Sequence, residues 1–135
     1  MVDIVFELES GTTGSVLNDV FSERERQEEL KRQGKFKYSC ADFELDNGQC
    51  YMILGEEFGE VGHALNEMIG KVYSGREIDF AMLPVREELI QVAAVAVAWV
   101  ERIDKVFQSR ATSKSALNAL LEENYAKVVD AAHRT

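Results

Sequence analysis

Residues 86–104 read REELIQVAAVAVAWVERID, and this stretch decides the fold. From Leu89 to Val100, apolar side chains occupy most of the circumference of a helix, so we expect this helix to lie at the centre of the molecule. Pro84 suits the first turn of the helix, which is predicted from about Pro84 to Phe107. The longest unbroken apolar run, Val92 to Val100, is far shorter than the roughly 20 residues that span a membrane, so no membrane partner is expected.

Three further helices are predicted on either side of this one. The first runs from about Ser15 to Arg32 and ends at Gly34, and its charged run SERERQEELKRQ is interpreted as a solvated face. The second runs from about Gln49 to Ile69, after an Asp46-Asn47-Gly48 turn that supplies its cap. The last comprises residues 113–133. In the second helix, apolar residues recur at steps of four and three, as on a core-facing stripe: Leu54, Phe58, Val61, Leu65 and Met68.

Four helices with hardly any strand signal predict an all-α, four-helix-bundle-like fold. Because the chain has one proline and no linker or repeat, residues 1–135 are expected to form a single domain. Residues 1–14 form an N-terminal arm in which apolar residues alternate with more polar ones, as in a short strand or an extended segment: Val2, Ile4, Phe6 and Leu8.

Composition narrows the class of partner. The 135 residues carry a formal net charge of −9, which disfavours a nucleic-acid backbone, because phosphate contacts need clustered Lys and Arg. A free nucleotide held through divalent cations is compatible with an acidic protein. Cys40 and Cys50 are expected to be reduced thiols. The N-terminus lacks the pattern of a signal peptide, so a cytoplasmic location is expected.

Two turns of helix carry clustered carboxylates. In Glu56-Glu57-Phe58-Gly59-Glu60, Glu57 and Glu60 fall about 60° and about 120° to one side of the apolar stripe, whereas Glu56 points away. In the central helix, Glu88 and Gln91 fall about 100° and about 160° to the same side of Leu89. If the two helices pack antiparallel, these side chains meet at one side of the shared seam.

A carboxylate beside apolar groups needs a partner, because leaving its charge unpaired there costs several kcal/mol. Oxygen ligands on rigid helices suit Mg²⁺ or Mn²⁺. The alternative is that the glutamates are solvated or paired with arginines, namely Arg24, Arg26 or Arg86.

At these residues the chain resembles the MazG-like all-α NTP pyrophosphatase superfamily, whose signature is EExxE followed by ExxD. Residues 56–60 match EExxE, and Glu88-Leu89-Ile90-Gln91 stands at ExxD, with Gln91 in place of Asp. The resemblance covers roughly residues 23–105 and implies a MazG-type fold. It also implies dimers or tetramers, in agreement with a central helix more apolar than a monomer can cover.

The resemblance implies Mg²⁺-dependent (or Mn²⁺-dependent) hydrolysis of a nucleoside triphosphate to the monophosphate and pyrophosphate. Its implied metal ligands are Glu57, Glu60, Glu88 and Gln91, the last a weakened ligand because an amide carries no charge. Its implied catalytic residues are Glu57, Glu60 and Glu56, with Glu56 supporting the ligands or positioning the attacking water.

Contacts to the rest of the nucleotide are predicted from residue type. Candidates for the phosphates are Arg24, Lys35 and Lys37. Candidates for stacking on the base are Phe36, Tyr38 and Trp99. Each of these residues is also compatible with an ordinary surface charge or a core aromatic.

Two alternatives remain. Glu60 and His63 have the Glu-x-x-His spacing of di-iron bundles, but the nearest second copy, Asp130 and His133, lies almost at the end of the sequence. The second alternative is a non-catalytic protein of the same fold that binds nucleotide or metal, or serves in structural interactions, because Gln91 removes one anionic ligand.

Overall fold

The computed structural model describes residues 11–71, 76–110 and 114–134, and within them the chain forms helices and no strand. The all-α prediction is therefore confirmed for this part, whereas the short strand or extended segment expected at Val2 to Leu8 lies outside it. One helix was not predicted: the connection before Pro84 contains a short helical segment. The helices are α1 (Thr13–Arg32), α2 (Asn47–Ile69), α3 (Arg76–Ala81), α4 (Leu83–Arg110) and α5 (Lys114–His133).

The helix boundaries follow from capping residues. The side chain of Thr12 accepts a hydrogen bond from the Ser15 amide at 3.1 Å, so α1 begins two residues earlier than predicted. Asp46 and Gln49 form a reciprocal capping box, and α2 begins at Asn47. Gly34 has a φ of +73°, which is the left-handed conformation expected after a helix that ends at a glycine.

The chain divides into two compact units, Met1–Trp99 and Val100–Thr135, and the division falls within α4. The second unit contains the end of α4 and all of α5, where Tyr125 and Val128 are exposed. The prediction of a single domain stays a prediction. None of the helices in the described ranges has the length and apolar character needed to traverse a bilayer.

In the first unit, α2 and α4 pack antiparallel. Trp99 of α4 donates a hydrogen bond from Nε1 to Oδ1 of Asn47, the first residue of α2, at 3.0 Å. Further along α2, Glu57 lies near Glu88, which comes earlier in α4. The condition under which the two carboxylate turns were predicted to meet is therefore fulfilled.

The core of the first unit is built at the end of this pair where α2 begins. Residues of the loop before α2 and of both helices form one buried cluster, against which Ile53, Leu54 and Trp99 pack. The buried members are Cys40, Ala41, Leu45, Cys50, Val95 and Ala98. Both cysteines are free thiols. The helix α4 contributes four buried residues, more than any other described helix, in agreement with its predicted central place.

The buried face of α2 differs in one position from the predicted stripe. Phe58 was expected to face the core, yet it is 66% exposed, whereas Glu57 is half-buried. Positions at steps of four and three residues are buried or half-buried, namely Cys50, Leu54, Glu57 and Val61, and Ile53 beside Leu54 is also half-buried. A carboxylate thus occupies a position of the helix stripe that normally carries an apolar residue.

The charged run of α1 is solvated on only part of its circumference, although its opposite charges pair along the helix as their spacing predicted. Arg24 is buried, and its guanidinium donates a hydrogen bond to Glu28 at 2.7 Å. Lys31 pairs with Glu28 and with Asp42 of the following loop, at 3.1 and 2.7 Å. Ser39 donates a hydrogen bond to the same Glu28 carboxylate at 3.1 Å. Ion pairs and hydrogen bonds therefore hold the loop between α1 and α2 against α1.

Candidate metal and nucleotide site

Glu57 is the focus of the candidate site. Burial raises the pKa of its carboxyl group, and the neighbouring charges of Glu88, Glu23, Glu60 and Glu56 raise the pKa further, in that order. The effect of Glu88 and Glu60 shows that two of the predicted partners lie close enough to act electrostatically. The two helices therefore concentrate negative charge around a partly desolvated carboxylate.

The carboxylates differ in their access to solvent. Glu88 is half-buried like Glu57, whereas Glu56 and Glu60 are exposed. Within the described residues, no three acidic, His or Cys side chains are drawn together closely enough to hold a metal ion as they stand. The structure therefore brings Glu57 near Glu88 and Glu60 but does not form a coordination shell from them.

The three arginines that were considered as partners for these glutamates pair with other carboxylates. Arg26 holds Glu23 through two hydrogen bonds of 2.7 Å, in a bidentate geometry. Arg86 pairs with Asp19, and Arg24 pairs with Glu28. Arg26 nevertheless brings a positive charge near Glu57. The pKa of Arg26 is raised mainly by its hydrogen bonds to Glu23, and the charges of Glu87 and Glu57 raise it further.

A cavity of about 160 Å³ opens beside Glu57. It joins one predicted metal ligand, Glu57, to a second, Gln91, and to the predicted base-stacking residues Phe36 and Tyr38. Trp99, the third residue predicted to stack on the base, does not line the cavity. The remaining lining residues are Glu23, Arg26, Gln27, Ser39, Cys40, Val95 and Ala98. The structure therefore brings together residues that were selected separately for metal and for base.

Other predicted substrate contacts lie elsewhere. Lys35 and Lys37 are exposed, and the Nζ atom of Lys37 lies 5.1 Å from the centre of the Tyr38 ring. Trp99 packs on the core cluster and bonds to Asn47. Arg24 is buried against Glu28. Of the predicted phosphate contacts, only the two lysines are thus presented on the surface.

Among the lining residues that sequence reasoning did not assign to the site, three lie on α1: Glu23, Arg26 and Gln27. They lie in a run in which every residue but Leu30 is charged or polar, so hydrophobic periodicity does not show which face is turned inward. Glu23 and Gln27 stand four residues apart and therefore share a face, and the Gln27 amide donates a hydrogen bond to Glu23 at 3.4 Å. Their spacing relative to buried Val20 is the signal that would have identified them.

The Glu-x-x-His alternative gains no support. His63 is exposed and lies 3.4 Å from Glu67 on the same helix. In the second unit, Asp130 pairs with Arg134, and the ring of His133 is hydrogen-bonded to the Val129 carbonyl. These contacts are local ones along a helix surface.

A second concavity is an apolar groove between α2 and α4, with a volume of about 480 Å³. Phe58 and Leu89 are exposed within it, although both were expected to face the core of the chain. Small residues of α4 form its floor. Its lining contains no charged side chain: Tyr51, Met52, Leu54, Gly55, Phe58, Leu89, Val92, Ala93 and Ala96.

The resemblance to the MazG-like superfamily rests on residues 56–60 and 88–91. Comparisons with protein-family models, with curated proteins and with solved structures gave no match.

Proposed function

We propose that this chain is a divalent-metal-dependent nucleoside triphosphate pyrophosphohydrolase that acts in the cytoplasm as a homo-oligomer. The observation that carries the proposal is the position of Glu57, a half-buried carboxylate on the core-facing stripe of α2 that is surrounded by the charges of Glu88, Glu23 and Glu60. Such an arrangement is unfavourable for a purely structural helix pair, because like charges in a partly desolvated site repel. A bound cation relieves the repulsion.

The donor set fits a hard divalent cation. Glu57, Glu60 and Glu88 offer carboxylate oxygens, which are the ligands that Mg²⁺ and Mn²⁺ prefer. The candidate arginines form their ion pairs with other carboxylates, and Arg26 acts on Glu57 only as a nearby charge, so a bound cation would add to the neutralisation of this site. We assign Glu57, Glu60 and Glu88 as the residues that hold the metal, with Gln91 as a neutral neighbour.

Bound divalent cations supply neutralisation of phosphate charge and a lowered pKa of a coordinated water. The residues of the chain would position the metal and the phosphates and would accept the proton of the attacking water. Half-buried Glu57 and Glu88 lie on two packed helices, so a cation held between them would position the phosphates beside the cavity. From the resemblance, exposed Glu56 would support the metal ligands or help to position the attacking water.

The test is pyrophosphate release from a panel of nucleoside triphosphates, with Mg²⁺, with Mn²⁺ and with EDTA. We expect metal-dependent release from at least one nucleotide, and a loss of at least about a hundredfold in Glu57→Gln and in Glu88→Gln. The matched control is Glu67→Gln, an exposed carboxylate on the same helix as Glu57. Equal rates in all four proteins would refute the assignment.

The apolar groove supports self-association. A monomer with net charge −9 exposes an uncharged groove with large hydrophobic side chains at Tyr51, Met52 and Phe58. Contiguous apolar patches of this kind mark interfaces. A second copy is the occupant that fits, because an apolar patch without charges is self-complementary across a two-fold axis and avoids the repulsion between two acidic surfaces.

A non-catalytic nucleotide-binding role is the second candidate. It is favoured by Gln91, which lines the cavity where the family signature has Asp. Single-turnover assays with excess protein distinguish the two functions, since a binder retains the triphosphate intact.

A further inference from the structure

The cavity beside Glu57 is too small for a whole nucleotide. Its volume of about 160 Å³ compares with roughly 300–1,000 Å³ for pockets that enclose a complete drug-sized ligand. It therefore encloses one part of the substrate, and the remainder lies outside. The chemistry of the lining decides which part that is.

Phosphate is a poor occupant of the cavity. Glu23, which is not among the assigned metal ligands, places a carboxylate in its wall, and Arg26 in the same wall is already held by Glu23 in a bidentate pair. A triphosphate would meet repulsion there. A neutral, flat group meets none, and the exposed rings of Phe36 and Tyr38 offer it surfaces for stacking.

Two amides in the wall are suited to the edge of a heterocycle. Gln91 is half-buried, and in the described part of the chain its side chain has no hydrogen-bond partner. Gln27 uses its amide nitrogen on Glu23, at a distance of 3.4 Å, and keeps its carbonyl oxygen as an acceptor. A ligand that covers these amides must offer them hydrogen bonds, because a polar group that is buried without a partner destabilises the complex.

We propose that this cavity is the base-specificity pocket of the enzyme, in which Gln91 and Gln27 bind the edge of a pyrimidine base that stacks on Phe36 or Tyr38. The proposal rests on the function proposed above and names its substrate class as pyrimidine nucleotides. A single ring matches the small volume better than the fused rings of a purine. Gln91 is then a specificity-determining residue rather than only a diminished metal ligand.

Nucleosides test the pocket without involving the metal. Binding of 2′-deoxycytidine, thymidine and 2′-deoxyadenosine is measured by NMR titration in EDTA, where neither phosphate nor cation contributes. We expect the wild-type protein to bind at least one of the two pyrimidine nucleosides, and more tightly than deoxyadenosine. Gln91→Ala and Gln27→Ala should each weaken that binding by roughly five- to tenfold, as expected for one hydrogen bond.

Gln108→Ala is the matched control, because Gln108 is exposed on α4 outside the lining, and its binding should equal that of wild type. Melting curves by circular dichroism show that each variant is folded, and Phe36→Ala provides a further variant at an exposed position of the pocket. The proposal is overturned if nucleosides do not bind, if deoxyadenosine binds as tightly, or if both glutamine variants bind like wild type. Nucleoside binding without hydrolysis would count against the proposed enzymatic activity alone, and hydrolysis without nucleoside binding against the pocket alone.

Discussion

Glu57 of α2 lies close enough to Glu88 of α4 for their charges to interact. Burial raises the pKa of the Glu57 carboxyl group, and the charge of Glu88 is the next-largest cause of the increase. The two residues come from the two separate carboxylate turns of the sequence, so their proximity depends on the antiparallel packing that Trp99 and Asn47 fix at the other end of the pair. This relationship determines how the protein should respond to metal.

Mg²⁺ or Mn²⁺ should stabilise the fold. A ligand that binds only the native state at a hundred times its Kd adds about 2.7 kcal/mol, which for a chain of this size raises Tm by roughly 10 °C. Glu57→Gln combined with Glu88→Gln should abolish this rise. In EDTA the double variant should melt no lower than wild type, because it removes like charges from a partly desolvated site. Differential scanning fluorimetry checks both results, with Glu67→Gln as control, and an equal metal-induced rise in wild type and double variant would place the site elsewhere.

The apolar groove should mediate self-association. Light scattering should give a mass of at least twice 15.2 kDa at micromolar concentration. Phe58→Glu should shift the protein toward monomer, because it places a charge in a groove whose lining has none. Ile69→Glu is the control, since Ile69 is equally exposed on the same helix but does not line the groove. A wild-type protein that remains monomeric would contradict the prediction.

Much of the fold follows from periodicity and capping, and the exceptions have physical reasons. The stripe of α2 was predicted correctly except at Phe58. Apolar periodicity assigns the inward position to the apolar Phe58, whereas in the structure the neighbouring Glu57 occupies it. Angular offsets did identify Glu57 and Glu88, since both helices keep regular geometry up to their carboxylate turns. The short helix α3 was missed, because six residues are too few to show a period.

The contribution of α1 to the site was less accessible to sequence reasoning. Arg24 and Arg26 are two residues apart and differ by about 200° around the helix, so a choice between them needs the position of the buried face. Only Val20 and Arg24 are fully buried among the described residues of α1. An arginine in such a position is recognised from its partner Glu28, and that pairing depends on tertiary burial rather than on composition.

Glu28 should make stability depend on acidic pH. Burial acts to raise the pKa of this carboxyl group, but hydrogen bonds from Arg24 and Lys31 outweigh it and lower the pKa from 4.5 to about 2. A pKa lowered in the native state stabilises the fold above the unfolded value, and this stabilisation is lost as pH falls from about 4.5 toward 2. Urea unfolding between pH 7 and 2.5 should therefore show a steeper acid loss for wild type than for Glu28→Gln.

At pH 7, Glu28→Gln should cost roughly 1–3 kcal/mol, the range for a hydrogen-bonded charge that loses its ion pairs. Glu29→Gln is the matched control, because Glu29 is exposed and its carboxylate is held only by two nearby residues in sequence, Arg32 and Gln33. If the difference between wild type and Glu28→Gln stays constant across the pH range, the network around Glu28 does not contribute through its charge.

Gln91→Asp should separate the two roles of position 91. A carboxylate beside Glu57 restores a fourth anionic donor, so Mg²⁺ affinity should rise by roughly tenfold, equivalent to about 1.4 kcal/mol. In EDTA the same variant should melt below wild type, because the new charge adds to the repulsion around Glu57. The variant also loses the NH₂ donors of the amide, so pyrimidine nucleosides should bind more weakly.

With triphosphate, kcat of Gln91→Asp should therefore rise, because the metal binds more tightly, while KM also rises, because the base binds more weakly. Gln91→Ala should weaken nucleoside binding but leave Mg²⁺ affinity nearly unchanged. Isothermal titration with Mg²⁺ is the deciding measurement: if Gln91→Asp does not tighten binding, or if Gln91→Ala is as damaging as Glu88→Ala, position 91 is not an attenuated member of the ligand set.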